Sequence, residues 1–242
     1  MSKTELFGIA FDDLCLPEAV EEALGLISER RAAYVVTPNP EIVLDARKNP
    51  AQMEAIRGAS LILPDGVGII CASRILGREL KNRLPGVDFA SALMARMAEN
   101  GQSVYLLGAK PGVAELAGQK LTGRYPGLRL AGTHDGYFAP EENDAIVAAI
   151  NEAEPDLLLV CLGAPKQELW MQSNAQRLQA GLMAGLGGSL DVFAGKAERA
   201  PQAWCDHGLE WLYRLIREPK RIRRMIRLPG ILAAAARERI GG

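Results

Sequence analysis

A chain of 242 residues that is 48% hydrophobic and carries a formal net charge of −1 can bury one large core, or a core with an appendage, and has no overall pull toward nucleic acid. Its cysteines, Cys15, Cys71, Cys161 and Cys205, stand too far apart in sequence for CxxC metal or redox chemistry. No apolar run reaches the ~20 residues that span a bilayer, and no charged n-region precedes an apolar stretch at the start, so neither a spanning helix nor a signal peptide is expected.

Leu6 to Phe11 alternates weakly and reads as a strand, and Pro17 opens an amphipathic helix to Arg30 with Val20, Leu24 and Ile27 on one side. Ala33 to Val36 is a second strand, ending in Thr37-Pro38-Asn39-Pro40, where two prolines stiffen the turn. Thr37 and Asn39 thus sit at a strand's carboxyl end. A helix is expected over Glu41 to Lys48. Leu61 to Leu63 is a short buried strand that Pro64 stops, with Gly66 and Gly68 loosening the backbone after it. Asp65 lies on that turn, where open α/β sheets bind ligands and where a carboxylate can take a proton from an attacking hydroxyl. A plainer role for Asp65 is to cap the helix starting near Gly66.

Val67 to Leu76 is apolar on most sides and reads as a buried helix. A basic, turn-rich piece holding Arg83 follows, and Asp88 is expected to cap a helix to about Glu99. Ser103 to Leu107 is a strand leading into Gly108-Ala109-Lys110-Pro111-Gly112 and a helix to Tyr125. Leu128 to Gly132 is a strand ending in His134-Asp135-Gly136-Tyr137-Phe138, and Pro140 to Glu152 a helix. Asp156 to Leu162 is the most apolar strand. It ends in Gly163-Ala164-Pro165-Lys166-Gln167-Glu168, with a helix to Gln179. Gly181 to Leu186 closes the series on Gly187-Gly188-Ser189. Cys71 and Cys161, in apolar surroundings, are expected as buried thiols in a reducing cytoplasm.

Strands alternating with helices, most strands ending in a Gly- or Pro-bearing turn, argue a Rossmann-like α/β fold: a mainly parallel sheet with helices on both faces, over residues 1–198. From Arg199 the strand signals stop. Leu209 to Ile216, Lys220 to Leu228 and Ile231 to Ile240 read as helices broken by Pro219 and by Pro229-Gly230, a C-terminal helical appendage over 199–242.

The turns at Gly108–Gly112 and at Gly163–Gln167 each join a strand to a helix, where free backbone N–H groups attract phosphate. Neither matches GxGxxG or GxxxxGK[ST], and either turn can equally be a plain connection. Tyr137 can stack on a base or pack in the core. Asp191 can accept hydrogen bonds from a base or ribose, or cap a helix. His134 has no His or Cys partner at ligand spacing and reads as structural. No DxD pair is present, so no metal is implied, and no cofactor is expected. Arg214, Arg217, Arg221 and Arg224 recur at three- and four-residue spacing, with Lys220, Arg223 and Arg227 beside them and only Glu218 to offset them. On an unbroken helix these would share one face, which Pro219 can split over two helices; an unbalanced basic face suits anionic lipid or a diphosphate, and the plainer alternative is a solvated helix. Trp204 and Trp211 lie seven apart, as interfacial anchors or as core contacts.

The motifs TPNPE at Thr37, LPDGVG at Leu63, RLPGVDF at Arg83, LLGAKPGVAE at Leu106, GTHDGYF at Gly132, LGAPKQE at Leu162, GGSLDVFAGKAERAP at Gly187 and GLEWLYRLIREPKR at Gly208 are collinear. Together they make the chain resemble the bacterial WecG/TagA/CpsF glycosyltransferases, family 26. The resemblance implies inverting transfer from a UDP-sugar donor to a polyprenyl-diphosphate-linked saccharide in cell-surface polysaccharide synthesis. The best-known donors are UDP-N-acetylmannosamine and its uronic acid; some relatives are thought to move glucose. It implies Asp65 as general base, Thr37 and Asn39 lining the sugar pocket, Arg83 on the donor diphosphate, and Gln167, Tyr137 and Asp191 on the nucleotide side. It also implies an appendage closing over the site, with Arg214, Arg221 and Arg224 facing a diphosphate. The expected location is the cytoplasmic face of the inner membrane, peripherally bound to an anionic surface, with no nucleic-acid partner and homo-oligomers possible. Pro40 and Ala109 depart from the family's usual alanine and glycine. A soluble nucleotide-binding oxidoreductase is the alternative of another class, disfavoured by the missing glycine fingerprint.

Overall fold

The computed structural model describes residues 2–30, 33–198, 200–201, 204, 212–213, 216 and 227–241. The chain does not begin with the single strand expected at Leu6 to Phe11. It forms a hairpin, β1 (Lys3–Leu6) and β2 (Ile9–Asp12), turning at Phe7 (φ 55°) and Gly8 (φ 75°). Positive φ at both turn residues gives the tight hairpin twist that matches paired strands. An aromatic residue in that position carries no turn signal.

After α1 (Leu16–Glu29) come β3 (Tyr34–Val36), α2 (Pro40–Ala46), α3 (Pro50–Arg57) and β4 (Leu61–Ile62). Helix α3 was not expected from the sequence; Asn49 caps it by accepting from Gln52 N at 3.3 Å, with Pro50 in its first turn. Next are α4 (Val67–Ile75), α5 (Gly86–Glu99), β5 (Ser103–Gly108), α6 (Val113–Arg124) and β6 (Arg129–His134). A 3-10 turn over Pro140–Glu142 leads into α7 (Asn143–Ala153), β7 (Leu157–Cys161), α8 (Lys166–Asn174), β8 (Leu182–Gly185) and α9 (Ser189–Phe193). Helix α8 stops well short of Gln179. The final helix, α10, covers Arg227–Gly241. Pro229 and Gly230 do not interrupt it. They fall in its first turn, where proline removes no helical hydrogen bond.

The main sheet has the order β4-β3-β8-β7-β5-β6 and every pairing in it is parallel. Successive residues point to opposite faces. Val104, Leu106, Leu157 and Leu159 face α1, α5, α6 and α9, while Tyr105, Leu107, Leu158 and Val160 face α2, α4, α7, α8 and α10. Cys161 is buried at the end of β7, but Cys71 is only half-buried, because α4 packs one flank against α10 and leaves that position near the surface. Ile231 and Ala235 of α10 are fully buried and share the core of α2 and α4.

Two features aim the sheet at a ligand. From β5 the chain leaves into α6 on one face, and from its neighbour β7 into α8 on the other. From β3 it leaves into α2 on the second face, and from its neighbour β8 into α9 on the first. Diverging connections open a crevice at the carboxyl ends of adjacent strands, the usual ligand position in such sheets.

Candidate functional site

The β3–β4 side of this edge gathers the polar residues that the sequence placed at strand ends. Leu63 N donates to Val36 O at 2.9 Å, Asp65 N to Pro38 O at 3.3 Å, and Leu84 N to Pro64 O at 2.8 Å. The turns at 37–40, 63–66 and 83–86 are thus tied into one platform. Thr37 is 8% exposed, and its Oγ1 lies 3.1 Å from where a Cβ on Gly86 would stand. Asn39 caps α2, its Oδ1 accepting from Ile42 N at 3.0 Å.

Asp65 is half-buried on this platform and does not cap α4. The capping position belongs to Gly66 at φ 86°, a conformation an L-residue resists. Gly66 also packs against the preceding turn: a Cβ there would stand 3.3 Å from Pro40 Cδ. Arg83 borders a recess of about 450 Å³ with Leu16, Leu84, Pro85, Asp88, Ser91 and Ala92, on the α1–α5 side of the platform. Asp88 sits in the first turn of α5 behind the Pro85 cap position, so it is not the cap.

Three turns meet at the β5–β7 fork. Ala109 N donates to Cys161 O at 3.2 Å, Gly136 N to Ala109 O at 2.9 Å, and Lys166 Nζ to Gly136 O at 3.0 Å. Gly108 has φ 132°, and a Cβ there would lie 2.3 Å from Cys161 O, so the crossing of the two turns admits no side chain. Lys166 Nζ also stands 4.2 Å from the Phe138 ring centre, within cation–π range. His134 packs edge-on against Phe138 and its Nδ1 meets Asp135 O at 2.8 Å, a structural use. Tyr137 is 71% exposed, which rules out the core-packing alternative and leaves its ring open to a partner. Gly163 (φ 76°) turns the chain into α8, where Gln167 N donates to Gly163 O at 2.9 Å.

The two clusters are bridged by the turn after β8. Gln167 is 3% exposed, and its Oε1 accepts from Gly187 N at 2.9 Å. Asp191 lies in the first turn of α9 and does not cap it, since Gly188 holds that position. Burial, with a smaller push from the Asp191 carboxylate, raises the Cys161 thiol to about 12, so Asp191 sits close to the end of β7. Four interstrand steps separate β4 from β5 in the sheet, about 19 Å in all at the usual strand spacing, room for a ligand laid along the edge.

Two residues of this region escaped the sequence reading. Glu168 is 1% exposed and Gln52, on α3, is also 1% exposed. The signal for Glu168 is its place at i of an i, i+3, i+7 series with the buried Met171 and Ala175, a carboxylate on an otherwise apolar stripe. Arg214, Arg217, Arg221, Arg224 and Trp211 lie outside the described residues. Trp204 packs edge-on against Tyr213, with ring centres 5.7 Å apart. Among the described residues, no three His, Cys, Asp or Glu side chains converge as a metal site, and no helix is long and apolar enough to cross a membrane.

A parallel sheet with two forks, rigid βα turns and a carboxylate beside the crevice defines an α/β protein built to hold a ligand along its carboxyl edge. The glycosyl transferase WecG/TagA/CpsF family model matches residues 4–242, and the chain belongs to that family. It is 36% identical over 230 residues to an N-acetylglucosaminyldiphosphoundecaprenol N-acetyl-beta-D-mannosaminyltransferase of Staphylococcus aureus (strain MW2), covering 94% of this chain and 90% of the relative. It is 33% identical over 208 residues to a protein of the same name from Bacillus spizizenii, covering 86% of this chain and 80% of the relative.

Proposed function

We propose that this chain transfers N-acetylmannosamine from a UDP-linked donor to the N-acetylglucosamine of an undecaprenyl-diphosphate-linked acceptor, inverting the anomeric carbon. The relatives' names favour this sugar over its uronic acid and over glucose, and nothing in them favours an oxidoreductase. The observation that carries the reading is the place of Asp65: half-buried on a turn held to Pro38, beside Thr37 and Asn39 at the carboxyl edge of the sheet.

In the reaction, the acceptor hydroxyl oxygen attacks the anomeric carbon while its proton passes to the Asp65 carboxylate. The bond from that carbon to the diphosphate oxygen breaks, and UDP leaves with the electron pair. Thr37 and Asn39 hold the sugar. The turns at Gly108–Ala109, Gly136–Tyr137 and Gly163, with Asp191, hold the nucleotide, Tyr137 stacking on the base. Gln167 fixes the Gly187 turn from beneath. Backbone N–H groups and Arg83 carry the developing charge without a divalent ion. Arg214, Arg217, Arg221 and Arg224 meet the acceptor diphosphate and an anionic membrane surface at the cytoplasmic face.

The test is a product assay with a panel of UDP-sugars and a short-chain lipid-diphosphate N-acetylglucosamine acceptor, with and without EDTA. Mass spectrometry is expected to show one added N-acetylhexosamine from UDP-N-acetylmannosamine, undiminished by EDTA. Transfer from UDP-glucose alone, or loss of product with EDTA, contradicts the corresponding part.

A further inference from the structure

Beneath the bridge between the two clusters lies a chain of buried polar groups, of which the mechanism above uses only Gln167. Gln167 Nε2 donates to Glu168 Oε1 at 2.9 Å, while Gln167 Oε1 accepts from Gly187 N at 2.9 Å. The Gln167 amide is therefore oriented from both ends. It lies against the sheet, where a Cβ on Gly185 would stand 3.4 Å from its Nε2.

Glu168 Oε2 and both polar atoms of the Gln52 side chain are buried without a hydrogen-bond partner. Helix α3 packs on α8 here, and the Gln52 amide is turned toward the Glu168 carboxyl. Three unsatisfied polar atoms in one buried place are costly. A small turn of the Gln52 amide lets its Nε2 donate to Glu168 Oε2, which satisfies one atom on each helix. Burial, the largest influence on this carboxyl, holds it above the usual carboxylate range, while donation from Gln167 and the facing Gln52 amide oppose that in part.

We infer that Glu168 is a positioning residue: braced by Gln52, it fixes the Gln167 amide and through it the Gly187 turn that joins the two halves of the site. With Glu168 in place, the carbonyl end of Gln167 can only face Gly187 N–H. Without an acceptor at that position, the amide is free to rotate and the turn loses its tether. This rests on the donor-site reading above only for its effect on catalysis; the tether itself does not depend on it.

The test uses the full chain with Glu168→Gln, Glu168→Met, Gln167→Met and the double Met variant. Hydrogen–deuterium exchange of the segment 186–190 reads the Gly187 N–H directly. Protection is expected to fall in Glu168→Met and Gln167→Met, and to be kept in Glu168→Gln, whose carbonyl still accepts from Gln167. In parallel, kcat/KM for the UDP-sugar is expected to fall about tenfold in each Met variant, mainly through KM. Glu168→Gln is expected to stay within about threefold of wild type, and the double variant to match Gln167→Met, because two members of one tether do not add. Full protection in Glu168→Met, losses that multiply in the double variant, or a Glu168→Gln as impaired as Glu168→Met would overturn the inference. Should Glu168→Met not fold, exchange of the Gln167 side-chain amide protons in the wild-type chain decides the point, fast exchange counting against it. A wild-type chain that binds no UDP sinks the donor-site reading, while the exchange experiment still judges the tether.

Discussion

Ala109 carries a side chain at φ 61°, in the left-handed region, where its N–H and C=O tie the turns after β7 and β6 to the turn after β5. A non-glycine residue there costs about 1–2 kcal/mol. Glycine removes that strain and gives back about 0.4–1 kcal/mol through a freer unfolded chain. Ala109→Gly is therefore expected to stabilise the fold by about 0.5–1 kcal/mol, read by urea denaturation; a loss of stability would show that the methyl group packs usefully. At this scale the sequence was most informative about where Thr37, Asn39 and Asp65 stand, because a short apolar run stopped by a nearby proline puts the polar residues beside that proline at the sheet's edge. It was least informative where a role depends on a distant partner. Gln167 reads as a ligand contact, and only the fold shows its amide already held by Gly187 and Glu168.

Elements with a single strong signal were legible: the continuous apolar runs of β5, β7 and β8, and the glycine- or proline-bearing turns after them. The misses have local causes. Phe7 hides the hairpin, and Asn49-Pro50, a cap followed by a first-turn proline, opens a helix too short to show a clear apolar period. Pro229-Gly230 reads as a break, yet both residues lie in the first turn of the last helix. Sheet order was not legible, since pairing is non-local. The last helix is the main revision. Arg239 Nη1 donates to Ile75 O at 2.8 Å, satisfying a carbonyl near the end of α4, and Ile231 is fully buried. Helices α2 and α4 both begin at the platform that carries Asn39 and Asp65, so α10 braces the site from behind. Ile231→Ala is expected to cost about 2–4 kcal/mol in urea unfolding. A cost under about 0.5 kcal/mol would mean that α10 docks only loosely.

On the proposed reading, the described core carries the donor chemistry and the arginine-rich stretch near the chain's end carries attachment and the acceptor diphosphate. Deleting everything after Ala203 would strip α10 and uncover the core around Ile231, so charge substitution is the cleaner probe of attachment. Replacing Arg214, Arg217, Arg221 and Arg224 with Gln is expected to weaken binding to anionic liposomes by about tenfold or more, since each basic residue near such a surface is worth about 1 kcal/mol. The effect should shrink at high salt, and unchanged binding would place the contact elsewhere. The most direct test of the mechanism is Asp65→Asn, with UDP affinity and sugar transfer measured on the same preparation. A general base contributes about a hundred- to ten-thousandfold in rate, so transfer should fall by that order while UDP binds as in the wild type. Normal transfer by the variant would contradict the account.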